Sequence, residues 1–185
     1  MIMSLRPVCC LSLLLLGVQT LAVAADRGAA VPSIPGAGDY VAVPNASMLA
    51  SPDHTYKVVF DARHGAEHPN ELAPAVLLAA SEINTLAAHG VPRDNARFAI
   101  VFHTAPSDDA VLDDAHCKAR FGVANPNLPV LAKLKDAGLD LYVCGQELLA
   151  DGVPLDAVAK DVTIVEDGLI ALIALQNQGY ALLSF

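Results

Sequence analysis

The residue type and position best suited to chemistry is Cys144, which closes the apolar run 139–143 and is followed by Gly145 and Gln146. As a thiolate it would be a nucleophile or a carrier of sulfur. As a thiol walled in by apolar neighbours it would be an inert small hydrophobe. Backbone N–H groups of Gly145, Gln146 and the turn that follows would favour the anion. His103 ends a second apolar run, RFAIVFHT, and is the candidate base or hydrogen-bond partner for that thiol. Its plainer reading is a histidine bonded to a loop carbonyl. Asn125, Asn127, Gly145 and Gln146 are the candidate substrate-binding residues. The two asparagines serve equally well as helix caps, and Gln146 as an exposed polar residue. Cys117 beside His116 and Lys118 reads as a packing residue, or as the partner of Cys144 in a disulfide. Closing that loop of about 27 residues would be worth roughly 3 kcal/mol, and needs the two Cα atoms within about 7 Å.

His64-Gly65-Ala66-Glu67-His68 has the spacing of a zinc-protease motif. The spacing works only when one helix face presents both histidines to a metal. Gly65 inside the motif and Pro69 after it argue for a turn instead. Gly36-Ala37-Gly38 lacks the rest of a dinucleotide fingerprint, and no nucleophile-elbow, phosphate-loop or C-x-x-C pattern occurs. No metal and no cofactor are expected.

The elements that must hold Cys144 and His103 follow from periodicity. Strands are expected over 55–62, 97–104, 139–144, 162–165 and 180–185, from their apolar, β-branched and aromatic content. Between them, 71–89 repeats apolar residues at helical spacing and stops at Gly90. Segment 106–121 is a weaker helix with acids at its start. Asn125 or Asn127 would cap a helix reaching Ala137, and Gly138 closes it. Short helical turns fit 147–150 and 155–160. Alternation of strands and helices predicts an α/β fold: a small three-layer sandwich on a mainly parallel sheet of about five strands, of flavodoxin-like topology. In such sheets, sites collect at the carboxyl ends of the strands. The helix expected over 168–178 is apolar nearly all round, so it must be buried on every side. A homo-oligomer interface would do that, and so would the preceding arm folding over it.

Ahead of the domain at 55–185 lies 26–54, rich in Pro, Gly and Ala, which reads as an arm or linker; Tyr40–Val43 within it fits a short edge strand. Residues 1–25 read as a signal peptide: Arg6, an apolar stretch too short to span a bilayer, and small residues for cleavage near Ala24 or Ala25. The expected location is therefore the periplasm or outside the cell, with no membrane attachment after cleavage. Cleavage removes Arg6, Cys9 and Cys10, so a net charge of −9 becomes more negative still. An acidic chain with scattered cations has no footprint for nucleic acid or an anionic membrane.

The stretches ANPNLPVLAKLKDAGLDLYVCGQ (124–146), VFHT (101–104) and ALIALQNQGYALLSF (171–185) resemble the DsrE/DsrF-like family, from Tyr56 to the end. The resemblance implies a small α/β sandwich that assembles as trimers or hexamers. It also implies sulfur relay, with sulfur carried as a persulfide on Cys144 and passed between a donor and an acceptor protein. Where relatives often end the second strand His-Gly, this chain has His103-Thr104. Before the last helix, Glu166-Asp167-Gly168 stands where Ser-Ala is common.

Overall fold

The computed structural model describes residues 29–184; the expected leader, 1–25, lies outside them. Five strands form one sheet: β1 (Tyr56–Ala62), β2 (Ala96–Phe102), β3 (Asp140–Cys144), β4 (Thr163–Val165) and β5 (Ala181–Ser184). Their order is β4-β3-β2-β1-β5. Every pairing is parallel. No helix among the described residues is long and apolar enough to cross a membrane.

This order dictates where the helices go. Parallel crossovers are right-handed. The chain steps one way from β1 to β4, so α1 (Pro74–Ala88), α4 (Leu128–Asp136) and α5 (Gly145–Ala150) share one face. It then returns past β1 to β5, which puts α6 (Gly168–Asn177) on the other. The two hydrophobic clusters record that division. Phe60, Phe98, Ile100, Phe102, Leu141 and Val143 pack with the first group of helices. Val59, Ala99 and Val101, the alternate residues, pack with Leu172 and Leu175 of α6.

α1 starts on Pro74, whose missing N–H costs nothing in a first turn, and is followed by Gly90 at φ +66°. The 106–121 segment is not one helix. It divides into α2 (Ala105–Asp108), a 3-10 turn and α3 (Asp114–Phe121). Asp113 caps α3 by accepting from His116 N. α4 begins after Asn127, yet that side chain makes no cap bond; tertiary partners claim it. At α6, Asp167 accepts from Leu169 N and Ile170 N, and Lys57 Nζ donates to Gln178 O at the other end. Both charges suit the helix dipole.

The arm is not a free linker. Val31, Ile34 and Ala37 are buried, and Asn84 of α1 holds the arm's backbone. Its Oδ1 accepts from Ile34 N at 2.6 Å, and its Nδ2 donates to the carbonyls of Ile34, Ala37 and Gly38. The edge strand expected at Tyr40–Val43 does not form. The proline- and glycine-rich chain is held by a single antiparallel bridge between Ala30 and Pro92 and by the side chains of Asn84 and Lys133, rather than by a continuing ladder. Because the arm lies on α1, it does not cover α6.

Candidate functional site

Register brings the site together. β1 pairs with β2 so that Asp61 faces Val101 and Ala62 faces Phe102. β2 pairs with β3 so that Phe102 faces Val143, and one residue further on His103 comes level with Cys144. On the other side Asp61 faces Ser184 of β5. Paired residues of parallel strands point to the same face. Ser184, Asp61, His103 and Cys144 therefore form a row across the carboxyl edge of the sheet, on the α6 side.

The row is hydrogen-bonded through its middle. His103 Nε2 lies 2.5 Å from Asp61 Oδ1, and both side chains are about nine-tenths buried. Ser184 Oγ donates to Asp61 Oδ2 at 2.9 Å. Thr104, following His103, donates its hydroxyl to Arg63 O at 2.7 Å and so fixes the turn. Gly168, the first residue of α6, closes over the other end. A β-carbon placed there would stand 2.5 Å from His103 Cβ and 3.1 Å from Cys144 Cβ. Both side chains thus leave the backbone next to one point, with only a hydrogen of Gly168 above them.

Cys144 is 7% exposed, and its Sγ lies 4.0 Å from the carbonyl of Glu166. It precedes α5, as expected, but Gln146 N donates to Glu166 O rather than turning to the sulfur. Gly145 is buried where a side chain would meet Ile164 and the Val165 carbonyl at 3.1 Å, while the Gln146 side chain is exposed. Cys117 and Cys144 are both free thiols. Cys117 packs with Leu112 and Ala157.

The asparagines sit elsewhere. They line a cleft of about 220 Å³ with His68, Glu71, Cys117 and Phe121. Asn125 Nδ2 donates to the carbonyls of Asp109, Ala110 and Leu112, and its Oδ1 accepts from the backbone and side-chain nitrogens of Asn127. Asn127 Oδ1 accepts from Ala73 N. The structure thus sorts the candidate residues into two groups: His103 with Cys144, and Asn125 and Asn127 with Cys117. His64 and His68 lie in the irregular stretch between β1 and α1, off any helix. No cluster of three metal-ligating side chains forms among the described residues.

Two residues of the row, Asp61 and Ser184, escaped the sequence reading. Asp61 did leave a signal: it is the lone acid among apolar neighbours in KVVFDA. Ser184 left none, because only pairing with β1 gives it a partner.

A further acid lies behind the site. Asp108 of α2 is 3% exposed, and neither of its oxygens has a formed hydrogen bond among the described residues. Burial first, then the carboxylates of Glu147, Asp151 and Asp109, push its carboxyl from 3.8 up to about 8, with the Ser107 hydroxyl pulling the other way. The folded chain therefore keeps a proton that the unfolded chain releases, so stability falls as pH rises from the lower value through the higher one. Asp108→Asn cannot titrate. Its thermal midpoint should gain on that of the wild type as pH is raised across that window. A gap independent of pH would show that the carboxyl is not held neutral.

An all-parallel five-stranded sheet with a thiol and a carboxylate–imidazole pair at its carboxyl rim defines an α/β protein of flavodoxin-like architecture. A family profile fits residues 57–185, nearly the whole described domain, and the chain belongs to the DsrE/DsrF-like family. Among solved structures, the protein of unknown function MTH1491 from Methanobacterium thermoautotrophicum is similar in fold. Its TM-score is 0.51 at 19% identity, over 70% of this chain and 99% of that one. No curated protein matches the chain.

Proposed function

We propose that this protein handles sulfur through Cys144, as an exported persulfide carrier or relay component of its family. The observation carrying that reading is the row in which His103, bonded to Asp61, stands level with Cys144 at the carboxyl edge of the sheet. The step conserves electrons. Cys144, having given its proton to His103, attacks the terminal sulfur of a donor persulfide. A Cys144–sulfur bond forms, the donor's sulfur–sulfur bond breaks, and the donor leaves as a thiol with the proton from His103. Passing the sulfur to an acceptor thiol reverses the sequence. Incubation with a small-molecule persulfide should add one sulfur atom to the intact mass, removable by reductant. Cys144→Ser should abolish the gain while Cys117→Ser retains it. Equal loading of Cys144→Ser and wild type would overturn the assignment.

The burial of Cys144 favours one alternative, a non-catalytic oligomeric small-molecule-binding module with that thiol structural. Alkylation of native protein at neutral pH separates the two. A carrier thiol reacts in the folded state, and a structural one reacts only on unfolding.

Under either reading the protein is proposed to act as a homo-oligomer, a trimer or hexamer, joined through α6. Leu169, Ile170 and Ile173 are 57%, 62% and 52% exposed, and Leu182 on the edge strand β5, paired with Val59 of the same face, is also open to solvent. Apolar area of that kind on a helix and its neighbouring edge suits burial against another subunit. The native mass of the mature chain, measured by light scattering, should be a multiple of the chain mass, and Ile170→Glu should reduce it. A monomer at micromolar concentration would rule the interface out. Export by the segment 1–25, to the periplasm or beyond, belongs to the same proposal. An N-terminus of the recovered protein at Ala25 or Asp26 would support it, and an intact Met1 would exclude it.

A further inference from the structure

His103 has one ring nitrogen committed. Nε2 faces Asp61 Oδ1, and a carboxylate can only accept, so Nε2 carries the hydrogen. Asp61 cannot swing away, because its second oxygen accepts from Ser184 Oγ on the neighbouring strand. In a neutral imidazole so held, Nδ1 is the basic nitrogen. It has no hydrogen-bond partner among the described residues, and the ring leaves the backbone beside Cys144 beneath Gly168.

We infer that Asp61, braced by Ser184, is the positioning residue of this site, presenting His103 to Cys144 through Nδ1. This rests on the reading that Cys144 is the reacting thiol. Asp61 touches neither the thiol nor its sulfur cargo; it acts by fixing which nitrogen takes the proton and where the ring stands. Ser184 supports the carboxylate from an edge strand only four residues long, so the chemistry depends on β5 being paired with β1.

The test combines a spectroscopic signature with sulfur loading, on the full mature chain. Two-bond proton–nitrogen correlations of labelled histidines should show His103 protonated on Nε2 in the wild type. In Asp61→Asn that preference should be lost, and loading of Cys144 from a small-molecule persulfide should slow by at least about tenfold. Asp61→Glu should restore part of both. Ser184→Ala removes one bond to the carboxylate from an exposed position. It should give a smaller loss, and it keeps the inference testable where Asp61→Asn does not fold. A wild-type ring protonated on Nδ1 overturns the inference, as does an Asp61→Asn protein with unchanged tautomer and loading rate. If wild-type Cys144 accepts no sulfur, the sulfur reading falls by itself, and the ring signals still report whether Asp61 holds His103.

Discussion

Gly168→Ala is expected to destabilise the protein by about 1–3 kcal/mol, the range for forcing extra volume into a filled site. Helix propensity argues the other way, since alanine is favoured over glycine by about 1 kcal/mol in a helix interior. Gly168 opens its helix, where that gain is smaller, and its new methyl would meet His103 Cβ at 2.5 Å and Cys144 Cβ at 3.1 Å. β-carbons are fixed to the backbone and cannot rotate aside. Either α6 lifts or the ends of β2 and β3 move, and both disturb the placement of His103 beside Cys144. A lower urea midpoint with an unchanged denaturant slope would be the stability signature. A changed rate of thiol alkylation would be the chemical one. A variant as stable as wild type, with the same reactivity, would show that α6 does not seal the row.

Asn125→Ala should cost more, about 3 kcal/mol or above. The substitution leaves the buried carbonyls of Ala110 and Leu112 without this donor and Asn127 without its acceptor, while the Asp109 carbonyl keeps Leu112 N. Each buried group left unpaired costs about 1–3 kcal/mol, and these are not fully additive. Asn125→Asp should also fail to rescue, because a carboxylate turned toward three carbonyl oxygens can donate to none of them. The residue serves the cleft beside Cys117, so sulfur loading of Cys144 should persist in whatever fraction stays folded. Urea titrations measure the first effect, and intact mass after persulfide treatment the second. A stable Asn125→Ala protein that no longer loads sulfur would return this asparagine to the chemical site.

The fold was readable because its three central strands are largely buried and all five are separated by helical periods, so the type of each element and its order along the chain followed directly. His103 and Cys144 were readable too, as polar or reactive residues ending apolar runs. Bonds made across long sequence distances were not. Asn84 looks like one polar residue on an apolar helix face until the arm's backbone is seen to need it. The asparagines at 125 and 127 have the local form of caps, yet their side chains bond to distant carbonyls and to Ala73. Helix 168–178 was expected to be buried all round. Only Gly168, Leu172 and Leu175 are buried within one chain, because the arm lies against α1 on the opposite face.

Winding the chain in one direction for four strands has a further effect. It makes the two sides of the sheet unequally thick, with several helices and an arm on one and a single helix of ten residues on the other. The thin side carries the thiol. An α-helix with its side chains is about 10 Å across, so in an assembly sealed by that helix a neighbour's surface would come within one helix diameter of the sulfur. Quaternary contacts and reactivity would then be inherited together, and no substitution along that helix could retune one without touching the other.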